Sequence, residues 1–174
     1  MVALLRGVNV GGKTTLAMAK LREVADELGY DDAATYIQSG NLVLRTSASA
    51  AAVEKDLAKT IAALGGVQPA VLVRTLAQLR KVVDGNPFLR RGEDEKSCHV
   101  VFGAKATKRS LAGLDLDSYA PEEAVAVGKE LYLFLPNGVG RSKLAGDLAS
   151  DKSAVGTMRS WRTVTKLLEM AEAR

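Results

Sequence analysis

One cysteine, Cys98, and one histidine, His99, stand in a chain of 174 residues. A disulfide framework needs paired cysteines, and zinc sites need several Cys or His ligands, so both are excluded. No apolar run approaches the roughly 18 residues that cross a bilayer. The opening residues, Met1-Val2-Ala3-Leu4-Leu5-Arg6, lack the basic segment and long apolar core of a secretory signal. What is present is ordinary for a globular protein: 47% apolar and 25% charged residues, a balance that excludes a disordered chain. The expectation is a soluble cytoplasmic protein without metal or cofactor. At this length it forms one domain or two small, tightly packed halves.

Acidic residues are missing from the first 22 positions, which carry Arg6, Lys13, Lys20 and Arg22; the first acid is Glu23. Residues 141–166 are also basic, with Arg141, Lys143, Lys152, Arg159, Arg162 and Lys166 against Asp147 and Asp151. Each segment is +4 while the whole chain is +4, so the remainder is acidic. Two basic segments folded together would make one positive surface, which concentrates phosphates, nucleotides or nucleic acid. The same charges can equally be a solvated surface.

Hydrophobic periodicity gives the element order. Residues 2–6 read as a strand that runs into the Gly-rich loop 7–12. Leu21, Val24, Ala25 and Leu28 recur at helical spacing until Gly29, which suits a C-terminal cap. Residues 34–38 and 42–45 read as strands joined by Ser39-Gly40-Asn41 in a tight hairpin. Val53, Leu57, Ile61 and Leu64 mark a second helix, Val71–Val73 a third strand run and Leu76, Leu79 and Val83 a short helix. The polar stretch 90–96 is the candidate junction. Beyond it, 98–102 reads as a strand, 106–113 as a short helix, 124–127 and 131–135 as paired strands, and 141–148 as a helix. Trp161, Val164, Leu168 and Ala171 mark a final amphipathic helix. The repeated order predicts an α+β fold of two related ferredoxin-like (β-α-β-β-α) halves, 1–90 and 91–174.

Gly7-Val8-Asn9-Val10-Gly11-Gly12-Lys13-Thr14 matches the phosphate-binding P-loop pattern, between a strand and a helix as that pattern requires. Its backbone N–H groups would cradle phosphate, Lys13 would reach the outer phosphates and Thr14 would hold magnesium. Against this, the phosphotransferase site needs a second strand ending in Asp, and Val71-Leu72-Val73 ends in Arg74. A hairpin at 34–45 also conflicts with the parallel sheet of a P-loop enzyme.

The segment from Leu4 to Lys13 resembles the opening signature of the bacterial family known as domain of unknown function 1697. Thr35-Tyr36-Ile37-Gln38-Ser39-Gly40-Asn41 is similar to its second signature, Gly140-Arg141-Ser142-Lys143-Leu144 to its third, and the segment from Thr157 to Leu167 to its fourth. The family usually has Asn where this chain has Thr14, and Asn where it has Ser160 and Arg162. The resemblance therefore makes the last P-loop position incidental, and it implies an α+β fold of duplicated ferredoxin-like halves. It implies no reaction, because the family's activity is not established.

Other candidate chemistry is thin. Cys98 and His99 are adjacent on a strand, so they face opposite sides and cannot pair as nucleophile and base. One is expected buried and the other exposed. Ser39 lacks the flanking glycines of a hydrolase elbow. Asp115, Asp117 and Glu93-Asp94-Glu95 read as solvated carboxylates. Trp161, between Arg159 and Arg162, could stack a base, although it also opens an apolar stripe. Gly140 leads into a helix beside Arg141 and Lys143, a candidate second anion site. The leading expectation is a binding module for a small anionic ligand or nucleic acid, without a membrane. Its contacts would be Arg6, Asn9, Gly11, Gly12 and Lys13, with Gln38, Ser39 and Asn41 orienting the ligand. Arg141, Lys143, Arg159 and Lys166 would form a positive wall. A P-loop phosphotransferase and a structural or protein-interaction domain are the alternatives.

Overall fold

The computed structural model describes residues 1–9, 15–65, 68–150 and 156–174. They form two compact units, Met1–Lys81 with Lys166–Arg174, and Val82–Thr165. The first contains β1 (Val2–Arg6), α1 (Met18–Glu27), β2 (Asp31–Tyr36), β3 (Asn41–Arg45), α2 (Ala50–Ala63) and β4 (Ala70–Arg74). Helix α3 (Leu76–Asp84) leads into the second unit, which contains α4 (Pro87–Arg90), β5 (Cys98–Gly103), β6 (Glu123–Val127), β7 (Glu130–Phe134), α5 (Lys143–Ser150) and β8 (Gly156–Ser160). Helix α6 (Trp161–Glu172) returns to the first. The fold is α+β, with two four-stranded antiparallel sheets. Among the described residues no helix is long and apolar enough to cross a membrane.

The first sheet has the order β2-β3-β1-β4. Its central strand β1 is apolar on both faces and buried on both. Ala3, Leu5, Leu42, Leu44, Val71 and Val73 share one core with Leu21, Val24 and Ala25 of α1 and Val53, Leu57 and Ile61 of α2. These helical residues sit at the three-and-four spacing that lines one helix face. Helix α2 begins at Ser49, whose hydroxyl accepts the Ala52 N–H at 3.2 Å. Its Glu54 accepts the Val73 N–H of β4 at 2.8 Å, which ties helix to strand.

The second sheet repeats the arrangement as β6-β7-β5-β8. Leu131, Leu133 and Leu135 pack with Leu144 and Ala145 of α5. Elements here differ from the sequence reading. The helix expected at 106–113 is a 3₁₀ turn at Thr107–Leu111. Thr107 is pulled out of a helical role because its N–H donates to Gly128 O at 2.9 Å and its hydroxyl to Glu130 O at 2.8 Å. Strand β8 was not expected. Its buried side chains are Thr157 and Arg159, so it carries no apolar alternation to read. Cys98 and His99 do point to opposite faces, but both are buried, because the sheet is covered on each side there.

Candidate functional site

The hairpin β2–β3 turns at 37–40, so Asn41 already belongs to β3. Gly40 adopts φ +74°. A Cβ on it would meet Val8 Cγ2 at 2.5 Å and Leu5 Cβ at 2.8 Å, so glycine is required both by the conformation and by the approach. Its carbonyl accepts the Leu5 N–H at 2.8 Å. Asn9, also left-handed at φ +55°, donates through Nδ2 to Gln38 O at 2.7 Å and to Leu16 O at 2.9 Å. Its Oδ1 accepts the Leu16 N–H at 2.8 Å. One side chain therefore ties Asn9 to Leu16 and to the hairpin turn. The two motifs around Asn9 and Gln38 form one constellation.

This geometry changes the roles of two expected contacts. Asn9 uses both amide hydrogens inside the protein, and so does Asn41, which donates to Tyr36 O at 3.0 Å and Ser39 Oγ at 2.9 Å. Each asparagine shapes the site and has no amide hydrogen left for a ligand. Gln38 is different: its side chain is exposed, beside Ile37, whose φ of +48° is costly for a β-branched residue and which is 51% exposed. Arg6 is half-buried at the end of β1, paired with Ala70. Gly11, Gly12, Lys13 and Thr14 lie outside the described residues. Lys166 forms an ion pair with Glu169 at 2.7 Å on its own helix, and Lys20 pairs with Glu23 at 3.0 Å, so neither is a bare cation.

In the second unit the expected anion site at the start of α5 is already filled. The carboxylate Oε2 of Glu122, 8% exposed, accepts the Leu144 N–H at 3.0 Å and the Ser142 hydroxyl at 2.9 Å. Ser142 Oγ in turn accepts the Ala145 N–H at 2.9 Å. The helix end binds the protein's own carboxylate. Glu122 has no signature in the sequence, since its partners lie twenty or more positions away. Arg141 and Lys143 remain exposed cations on either side of Ser142.

Arg159 is not part of an exposed positive wall. It is 7% exposed, and its Nη1 donates to Thr157 Oγ1 at 2.6 Å and Met158 O at 2.8 Å. Burial pushes its pKa down to about 10. Trp161 is 3% exposed, so its indole packs and offers no face to a base. The Cys98 thiol is buried and donates to Asp94 O at 3.6 Å; desolvation raises its pKa, the opposite of activation. His99 is held neutral by burial, with Nδ1 3.4 Å from Ser97 O. Among the described residues no group of three or more His, Cys, Asp or Glu is arranged to hold a metal. β1 lies between two antiparallel strands, whereas a P-loop enzyme carries its loop on a parallel sheet.

The family model described as protein of unknown function (DUF1697) matches residues 1–132. That span contains the two motifs joined by Asn9; the motifs at 140–144 and 157–167 lie beyond it. No curated protein matches the sequence. Among solved structures, the conserved bacterial protein SP0830 from Streptococcus pneumoniae is similar, with a TM-score of 0.70 and 22% identity over 98% of this chain and 97% of that one. Likeness at that identity is one of fold.

Proposed function

This chain belongs to the DUF1697 family of proteins of unknown function, and we propose that its loop 6–14, together with the turn 37–40, binds a small anionic, phosphate-bearing ligand. The observation that carries the reading is the Asn9 bridge to Leu16 and Gln38, which fastens both flanks of a Gly-Gly-Lys loop to an exposed polar turn. The backbone of Gly11 and Gly12, the Lys13 ammonium, Arg6, Gln38 and Ser39 are the proposed anion contacts. Asn9 and Asn41 hold the frame.

The test is calorimetric titration with phosphate, a nucleoside triphosphate and a short oligonucleotide at two salt concentrations. Lys13→Ala is expected to weaken binding roughly ten- to a hundredfold, equivalent to one charge-assisted contact, without changing the fold. Absence of binding at millimolar anion overturns the reading. A structural role for the same motifs is the second reading, and the internally satisfied amides of Asn9 and Asn41 support it. It expects no anion binding and a lower melting temperature in motif variants.

The ferredoxin-like duplication, with halves 1–90 and 91–174, is likewise a proposal. Three correspondences support it beyond the shared strand order. Arg74 stands opposite Val2 as Arg159 stands opposite Val100. Each is buried and donates from Nη1 to the carbonyl of the residue before it. Leu5 N–H donates to Gly40 O as Gly103 N–H donates to Lys129 O, one residue before each returning strand. Four residues beyond those donors, Asn9 and Thr107 each reach back to a hairpin-turn carbonyl, Gln38 O and Gly128 O.

A further inference from the structure

Strand β6 is an edge of the second sheet. The two-residue turn at 128–129 makes Val127 and Glu130 the hydrogen-bonded closing pair with β7, so bonding alternates back through Val125 and Glu123. The N–H and C=O groups of Ala124 and Ala126 therefore point away from the sheet. No backbone partner meets them among the described residues. Both edges of the first sheet are guarded. β2 carries Asp31 and Asp32, a register shift between Asp31 and Ala34, and a left-handed Asp32; on β4 the Val73 N–H is taken by Glu54. β6 has no bulge, proline or lysine.

The charge around β6 is polarised. At its Val127 end lie Lys129 in the turn, and Lys105 and Lys108, brought there by the Thr107 bonds to Gly128 and Glu130. These three lysines are exposed and form no ion pair among the described residues. At its Glu123 end lie Glu123 and the exposed Asp115 and Asp117, brought there by the Glu122 N–H to Tyr119 O and Ala120 N–H to Asp117 O bonds, whereas the Glu122 carboxylate is buried at the start of α5. Arg91, paired with Glu123 at 2.6 Å, and Arg141 and Lys143 beside Ser142 offset part of this charge. Glu130 offsets part of the opposite end.

We propose that β6 pairs antiparallel with β6 of a second copy of this chain, about a two-fold axis at Val125. The occupant follows from the polarity: only a reversed copy brings an acidic end onto each basic end, and it does so twice by symmetry. Ala124 of one copy then faces Ala126 of the other, giving four main-chain hydrogen bonds. The second sheet becomes continuous across the pair.

Sedimentation of the full chain, over a concentration series up to about 1 mM and at low and high salt, tests the pairing. A dimer that weakens with salt is expected. Ala126→Pro should weaken it by at least about tenfold while leaving the circular dichroism and melting temperature near wild type, because proline is tolerated where an edge N–H faces outward. Lys129→Glu and Asp117→Lys should each weaken it, and the two together should restore it; this pair decides the matter if Ala126→Pro does not fold. A chain that stays monomeric throughout overturns the proposal. So does a dimer indifferent to both sets of substitutions, which would place the contact elsewhere, and so does an edge that pairs only with a different protein's strand.

Discussion

The amide nitrogen of Asn9 donates to the main-chain carbonyl of Gln38 at 2.7 Å, across 29 positions of sequence. The same side chain also makes two hydrogen bonds to Leu16. Asn9→Ala removes all three and leaves an alanine in a left-handed conformation. The expected loss is about 2–4 kcal/mol of unfolding free energy, from hydrogen bonds worth about 1 kcal/mol each and a backbone penalty of about 1 kcal/mol. Asn9→Gly avoids the backbone term. Urea denaturation of the two variants should therefore differ by about that 1 kcal/mol, with glycine the more stable.

Gly40→Ala combines a positive φ with a collision against Val8 and Leu5. Leu5 is a core side chain on a central strand and does not yield easily. A loss of about 2–4 kcal/mol is expected. Gly7→Ala is the control, since it also has positive φ but a Cβ there meets nothing within 4 Å. It should cost only about 1–2 kcal/mol, measured by thermal unfolding of both.

Glu122→Ala takes the carboxylate from Leu144 N–H and the Ser142 hydroxyl. A loss of about 1.5–3 kcal/mol is expected, because the bonds are charge-assisted and buried. Glu122→Gln keeps an acceptor and should recover part of it. Chemical denaturation followed by circular dichroism reads the difference.

His99 supplies a pH dependence. Burial lowers its pKa below the ordinary 6.5, so the unfolded chain binds a proton more readily than the folded one. Its contribution is fully present above pH 6.5 and is lost as pH falls from there through the folded value. Melting temperatures at pH 7.5 and 5 should differ by less in His99→Leu than in the wild type. An equal shift in both would assign the acid sensitivity to carboxylates.

The helices α1, α2 and α6 were legible because apolar periodicity carried them, and the antiparallel hairpin because Ser39-Gly40-Asn41 are turn residues between two strand-like runs. Strand β8 was not, because its inward residues are Thr157 and Arg159 and arginine ordinarily reads as exposed. The two motifs at Asn9 and Gln38 were legible as motifs. Their junction was not, since a side-chain bond across 29 positions leaves no local pattern. The start of α5 read as a vacant anion site because its filler, Glu122, comes from a distant turn.

The hairpin tip owes its shape to residues outside the hairpin. Ile37 and Gly40 hold left-handed backbone, and the groups that meet the turn, Leu5, Val8 and Asn9, come from β1 and the residues that follow it. A synthetic peptide spanning residues 31–45 would retain every letter of the second motif and lose these outside holds. An isolated hairpin is marginal in water at best. Ile37 would then relax to an ordinary conformation, and Gln38 would swing with it. The motif is thus half of a two-part fitting, and antibodies or inhibitors raised against that peptide would meet a different object from the folded protein.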